Sequence, residues 1–380
     1  EPVNKAILHH KRLGHVGKDV LLQMRRNGWI EFRDKDLKEL DTYACPGCLA
    51  NTQPLDHANH NRKNAITRNA IRPEEVGHFH ADIFYLPRDS EYQRCIMLVD
   101  QKTRFTHSRF TDKREFNEYD AITAFEELKS KIEATGHQIR SLRWDGEGAI
   151  WSEKFKTWCD ANNIERHRNT ASEQNLAETK IAKMRDIQRK IQGESNVPKE
   201  LEFYTYRHAL HTLNIRPTQP LMGRTPMQEY MQKSPNRVLS RMKIFGTVAY
   251  YKKPNATKYD TAKPYIYVGM DNLNSANYLL YNPLTKRITT THQAKFIETP
   301  LPANWYDNIC QGNDIHYQRG IIEQINTPKD KDNDEDEYAD MPALDDGSDS
   351  ENESDNDNND NEEDQYALDD DSDSEDDSDS

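Results

Sequence analysis

The sequence predicts an α/β core built on a mixed sheet, and three observations carry that prediction. Short apolar stretches bounded by turn residues run over 77–86, 94–100 and 105–110, with Pro87, Asp89 and Ser90 and then Lys102 between them. A helical stripe follows over 115–134, where Tyr119, Ile122, Phe125, Leu128 and Ile132 recur at three- and four-residue spacing. Beyond it, strand and helix patterns alternate: strand 139–144, helix 153–161, strand 164–167, and a long helix that opens at Asn175-Leu176-Ala177-Glu178 and runs to Gln192. A three-strand meander followed by alternation is the pattern of a mixed sheet with helices laid against it.

Before this core, residues 1–60 hold His10, His15, Cys45 and Cys48. Two imidazoles and a Cys-x-x-Cys supply four ligands of the type a structural zinc takes, and a module this small has little core without a metal. His9 lies beside His10 and offers an alternative ligand. The segment 17–27, with Val20, Leu21, Leu22 and Met24, predicts a helix packed over the site. Residues 61–75 are polar and basic with Pro73, and read as a linker able to follow a phosphate backbone.

Within the core, the order of elements is that of the ribonuclease H-like fold. Asp82 falls in the middle of the first strand and Asp145 at the end of the fourth, while Glu178 opens the long helix. Three clustered carboxylates repel one another unless divalent cations lie between them, so Mg²⁺ or Mn²⁺ at Asp82, Asp145 and Glu178 is the expected arrangement for phosphodiester chemistry. On the long helix, Leu176, Ala177, Ile181, Met184, Ile187 and Ile191 form a buried stripe, and Glu178, Ala182, Arg185 and Arg189 the opposite, exposed face. Lys180, Lys183, Arg185 and Arg189 are its candidate DNA contacts. Taken alone, such a face is also what an ordinary solvated helix presents.

Residues 196–237 read as a helical and loop extension punctuated by Pro217, Pro220 and Pro226. Over 238–300, strands rich in Tyr, Val, Ile and Thr at 244–251, 265–269, 277–281 and 287–291 predict a small β-barrel. Lys252, Lys253, Lys258, Lys263, Lys286 and Arg287 decorate its turns, with Lys252 and Lys253 the candidate DNA contacts. Residues 301–380 are a linker and an acidic, low-complexity tail that cannot bury enough apolar surface to fold, so disorder is expected.

Charge is divided unevenly. Residues 330–380 hold 26 of the 65 acidic residues and one of the 51 basic ones, Lys331, which leaves 39 acidic against 50 basic residues and a net +11 in the body of a chain whose overall charge is −14. A basic body favours a polyanion, nucleic acid above all; the tail can compete for that surface or engage a chromatin or host factor, or serve only as a solvating spacer. No apolar run is long enough to span a bilayer, and five cysteines with one close pair do not make a disulfide framework. The chain starts at Glu1 without Met, as expected of a piece cut from a longer precursor or of a trimmed chain.

The assembled motifs resemble the integrase of copia-type long-terminal-repeat retrotransposons, over about residues 5 to 300. The segment Leu8-His9-His10-Lys11-Arg12-Leu13-Gly14-His15 is similar to the family's N-terminal His signature and selects His10 over His9; Cys45-Pro46-Gly47-Cys48-Leu49 is similar to its cysteine pair. Phe79-His80-Ala81-Asp82-Ile83, Val99-Asp100-Gln101-Lys102-Thr103-Arg104-Phe105 and Leu142-Arg143-Trp144-Asp145 resemble its core blocks. Thr225-Pro226, Ile244-Phe245-Gly246 and Tyr267-Val268-Gly269 resemble those of its SH3-like region. The resemblance implies a zinc-binding module at 1–60, a catalytic core at 76–195 and an SH3-like domain at 238–300. It also implies a polynucleotidyl transferase with catalytic Asp82, Asp145 and Glu178 that trims element DNA ends and joins them to double-stranded target DNA, as a homo-multimer, first in a cytoplasmic virus-like particle and then in the nucleus. Two other readings keep the same fold: a decayed or domesticated integrase that only binds DNA, and a nuclease without strand joining. The chain departs from the family's pattern near the third carboxylate. Its 32 residues between Asp145 and Glu178 are fewer than usual, Asn175-Leu176-Ala177-Glu178 lacks the family's glycine, and Ala149 stands where an acidic residue is common. Glu173 is the alternative ligand.

Overall fold

The computed structural model describes residues 4–51 and 73–298, apart from 89, 145–147, 169–174, 196, 255–256 and 258–260. The chain divides into two units, Glu1–Arg319 and Gly320–Ser380, and every described residue belongs to the first. Asp145, Glu173, Lys258, most of the predicted linker and the acidic tail therefore lie outside the described residues.

The first sheet has the order β3-β2-β1-β4-β5, built from β1 (His78–Tyr85), β2 (Arg94–Asp100), β3 (Thr106–Thr111), β4 (Ser141–Trp144) and β5 (Glu165–Arg168). Strands β1, β2 and β3 pair antiparallel, whereas β4 runs parallel to both β1 and β5. That mixed order, with helices between the later strands, is the ribonuclease H-like fold. The N-terminal module contributes α1 (Lys5–Arg12), α2 (Lys18–Arg26), α3 (Asp34–Thr42) and α4 (Pro46–Asn51).

Helices α5 (Glu118–Glu133) and α6 (Glu153–Ala161) cover one face of the sheet; Phe79, Ala81, Leu98 and Leu142 share a core with Phe125, Leu128 and Phe155. The other face carries α7 (Leu176–Ser195) and α8 (Glu202–Ile215), and there Phe84, Met97 and Val99 pack against Ala177, Ile181, Met184 and Phe203. The α5 stripe is turned slightly from the predicted one. Tyr119 is exposed, and Ala121 and Ala124 join Phe125, Leu128 and Ile132 inside, because small residues let the helix sit close to the sheet.

Two short helices, α9 (Pro226–Met231) and α10 (Asn236–Arg241), lead to the second sheet, whose order is β10-β6-β7-β8-β9. Its strands are β6 (Val248–Tyr251), β7 (Lys263–Met270), β8 (Tyr278–Asn282), β9 (Arg287–Thr291) and β10 (Lys295–Ile297), all paired antiparallel. The small β domain expected here is this five-stranded antiparallel sheet, with β10 and β9 at the ends of the strand order. Strand β10 carries only three residues, too few to show a period in the sequence. Helix α8 is almost wholly buried, because it lies between α7 and the second sheet: Val248, Ile266 and Val268 join the same core as Phe203, Leu210 and Leu213.

Candidate functional site

Helix α7 starts where it does because of Asn175. This residue is 1% exposed; its Oδ1 accepts from the Ala177 amide at 2.9 Å as a helix cap, and its Nδ2 donates to the Ala81 carbonyl at 3.1 Å. The Leu176 amide donates to Nδ1 of His80 at 3.4 Å. The start of the helix is thus fastened to β1 beside Asp82.

The face on which Asp82 emerges follows from strand alternation. Phe79 and Ala81 belong to the core beneath α5, whereas His80 contacts the start of α7, and Phe84 packs beneath the same helix with the Arg185 guanidinium 5.5 Å from its ring centre. Successive side chains of a strand alternate between faces, so Asp82, between His80 and Phe84, leaves β1 on the α7 side. It is half-buried, and its Oδ1 accepts from the Ile83 amide at 2.8 Å. Glu178 is exposed in the first turn of α7. The helix touches β1 at His80 through the Leu176 amide and at Phe84 through Arg185, and Glu178 lies between those two contacts along the helix. Strand β4 ends at Trp144 beside β1, and Asp145, the next residue, lies outside the described residues.

The basic surface of α7 differs from expectation at one residue. Lys183, Arg185 and Arg189 are exposed with Glu178 and Ala182, as are Lys252 and Lys253 after β6. Lys180 is buried instead, on the inner side with Ile181 and Met184. Helix α7 is covered on three sides, by the sheet, α8 and α4, and a stripe read from apolar residues alone is narrower than that. Burial pushes the Lys180 ammonium down to about 7, with Lys183, Arg104 and Arg216 adding repulsion. A lysine in this position packs the helix and is corrected from a DNA contact to an interior group.

The second cluster is more completely described. His10, in the last turn of α1, and His15 are brought together by a tight turn in which Gly14 has φ +65° and His15 φ +63°, and the His15 amide donates to the His10 carbonyl at 2.7 Å. Glycine is required at 14: an added Cβ would stand 2.7 Å from Cγ2 of Ile187 on α7. Cys45 precedes α4 and Cys48 falls in its first turn, so the Cys-x-x-Cys spacing turns both sulfurs to one side.

The donor atoms of His10, His15, Cys45 and Cys48 all lie within 4.8 Å of one another. His15 Nδ1 is 3.3 Å from His10 Nε2 and 3.2 Å from Cys45 Sγ, and Cys48 Sγ is 3.5 Å from His10 Nε2. Tetrahedral zinc, with bonds of about 2.0 Å to nitrogen and about 2.3 Å to sulfur, holds its ligands roughly 3.3 to 3.8 Å apart, so these residues fit the metal. The His10 Nδ1 faces the Val16 carbonyl at 2.8 Å, which leaves Nε2 for the cluster. Hydrogen bonding from Cys48, then from His10 and His15, holds the Cys45 thiol well below its usual range. The bond to Cys45, with burial, raises Cys48. His9 is not a member; burial, then Arg12, lowers it to about 4.

A cleft of about 550 Å³ at the β3 edge, lined by His107, Arg109, Glu127, Lys131, Arg207 and His211, touches none of the predicted site residues. A surface that receives a DNA backbone is an open one, and enclosed volume does not find it. Two contributors were not legible in the sequence: His80, which receives the start of α7, and Glu194, whose carboxylate reaches His15 from the far end of the same helix.

No family model matches the chain. Among curated proteins, it is 23% identical over 305 residues to the retrovirus-related Pol polyprotein from transposon RE1 of Arabidopsis thaliana, an alignment that covers 78% of this chain and 20% of that protein. It is 24% identical over 299 residues to the corresponding polyprotein from transposon RE2 of the same plant, covering 77% and 19%. The chain is similar to transposon Pol polyproteins over most of its length. It spans about a fifth of the length of the curated relatives it matches. Solved structures similar to it include a simian T-cell lymphotropic virus intasome in complex with PP2A regulatory subunit B56 gamma, at 14% identity, TM-score 0.34, and 61% and 86% coverage of the two chains. The HTLV-2 integrase catalytic core domain in complex with magnesium, in a trimeric form, gives 19% identity, TM-score 0.34, and 42% and 99% coverage.

Proposed function

We propose that the chain is a retrotransposon integrase that processes the 3′ ends of element DNA and joins them to a target duplex. The observation that supports the reading is the fastening of the start of α7 to β1 by Asn175, which bonds to Ala81, the neighbour of Asp82, and lies three residues before Glu178. In this reading Asp82, Asp145 and Glu178 hold two divalent ions, Mg²⁺ or Mn²⁺. Bound there, the ions lower the pKa of the attacking water or 3′-hydroxyl and neutralise the leaving oxygen. The protein's own part is to fix the carboxylates on a rigid strand and a capped helix, so that little reorganisation accompanies the reaction. Lys183, Arg185 and Arg189 on α7, with Lys252 and Lys253 beyond β6, carry the DNA backbone, and two or more copies assemble on it. His10, His15, Cys45 and Cys48 hold a structural zinc.

In the same reading the negative charge of the acidic tail lowers the affinity of the chain for non-specific DNA and suits a chromatin or host factor; the site of action is a cytoplasmic virus-like particle and then the nucleus. The reading is tested by incubating the chain with element-end duplexes, a target duplex and Mn²⁺. Joined products that vanish in Asp82→Asn support an integrase. Cleavage without joining supports a nuclease of the same fold, and salt-sensitive binding without either supports a DNA-binding descendant.

A further inference from the structure

The zinc ligand His15 is held from behind by the helix that carries Glu178. With its Nδ1 turned to the ligand cluster, His15 places Nε2 3.1 Å from a Glu194 carboxylate oxygen, and Glu194 also pairs with Lys11. Glu194 lies in the last turn of α7, 16 residues after Glu178, or about 24 Å along the axis at 1.5 Å per residue. The contact is part of a tight seam. A Cβ added to Gly47, between the two ligand cysteines, would stand 2.4 Å from the Lys190 carbonyl, 2.8 Å from His15 Cε1 and 3.1 Å from Glu194 Cβ. Asn51 Nδ2 donates to the Arg189 carbonyl at 3.0 Å, which ties α4 to α7 again.

We infer that Glu194 is a positioning residue of the zinc centre, and that metal occupancy thereby fixes the helix whose first turn presents Glu178. A histidine that gives Nδ1 to a metal carries its proton on Nε2, and a carboxylate accepting that proton fixes both the tautomer and the ring. The metal also supplies much of the folding free energy of a module this small. Loss of zinc therefore loosens α1 and α4, and with them the seam along the C-terminal half of α7. The zinc module acts on the catalytic core through one rigid element.

The inference rests on the zinc reading, and the experiment separates the two. Zinc affinity of the full chain is measured by chelator competition for the unmodified protein, Glu194→Gln, Glu194→Ala and Lys11→Met. Hydrogen exchange over residues 176–195 is followed in zinc-loaded and zinc-stripped protein. Glu194→Ala is expected to weaken zinc binding about 10- to 100-fold. Glu194→Gln, which keeps an acceptor oxygen, loses less, and Lys11→Met, which keeps the His15 contact, changes little. Stripping zinc from the unmodified chain is expected to speed exchange toward the end of α7. Equal losses in Lys11→Met and Glu194→Ala would reduce the carboxylate to a docking ion pair and overturn the positioning role. Unchanged exchange on stripping would overturn the coupling. An unmodified chain that binds no zinc defeats the zinc reading itself, and the inference with it.

Discussion

Asn175 holds two structures together, and replacing it separates them. Asn175→Ala removes the cap bond to the Ala177 amide and the bond to the Ala81 carbonyl, both in a fully buried setting. A lost Asn cap costs about 1 kcal/mol. Ala81 sits within the β1–β2 ladder, so the second loss is taken as the net worth of a buried hydrogen bond, again about 1 kcal/mol. The sum of about 2 kcal/mol corresponds to roughly 30-fold more frequent opening of the first turn of α7. Hydrogen exchange of amides 177–180, read by mass spectrometry in zinc-loaded protein, measures that opening. Asn175→Asp distinguishes the two bonds, because aspartate keeps the cap acceptor but turns a second carboxylate oxygen toward the Ala81 carbonyl. It is expected to open the turn as much as alanine near neutral pH, and to recover as the pH falls and the carboxyl regains a donor. Strand transfer is expected to fall in both variants. Wild-type protection in Asn175→Ala, or in Asn175→Asp at neutral pH, would refute the claim that this side chain anchors the helix to the strand.

Two further outcomes follow from buried groups. Lys180 has its pKa pushed down from 10.5 to about 7, chiefly by burial, so between those values the unfolded chain holds a proton that the folded chain does not. Stability therefore rises with pH across that window, by about 1.4 kcal/mol per unit at most, and the full penalty applies below it. Lys180→Met is expected to stabilise the protein most near pH 6, with the advantage shrinking by about pH 9; denaturant midpoints at the two pH values test this, and a constant gap would contradict it. Cys45→Ser removes one of the four proposed zinc ligands, and the zinc content of the purified protein is expected to fall from one per chain toward none. Full retention would sink the assignment.

Much of this architecture was legible because periodicity reports burial directly. Strand β2 and helix α6 were read at their observed bounds, since a run such as Cys95 to Val99 is apolar throughout and Glu153 follows a Ser cap. The four candidate metal ligands His10, His15, Cys45 and Cys48 are legible as a local spacing, and the structure brings all four together. Lys180 was misplaced because a sequence stripe cannot show that α7 is covered by α4 and α8 as well as by the sheet. Glu194 was not legible at all. Its partner His15 lies 179 residues earlier, and an acid at the end of a polar helix looks like solvated surface. Asn175 was seen as part of a motif, but its bond to Ala81 depends on the crossing of a helix over a strand, which no local pattern encodes.

The central claim is that α7 presents Glu178, rather than Glu173, as the third carboxylate beside Asp82. Strand transfer with pre-processed element ends and Mn²⁺, compared among the unmodified chain, Glu178→Gln and Glu173→Gln, tests it most directly. The account predicts joined products from the unmodified chain and from Glu173→Gln, and none from Glu178→Gln with its zinc content and fold intact. Joining that survives Glu178→Gln and disappears in Glu173→Gln would contradict it.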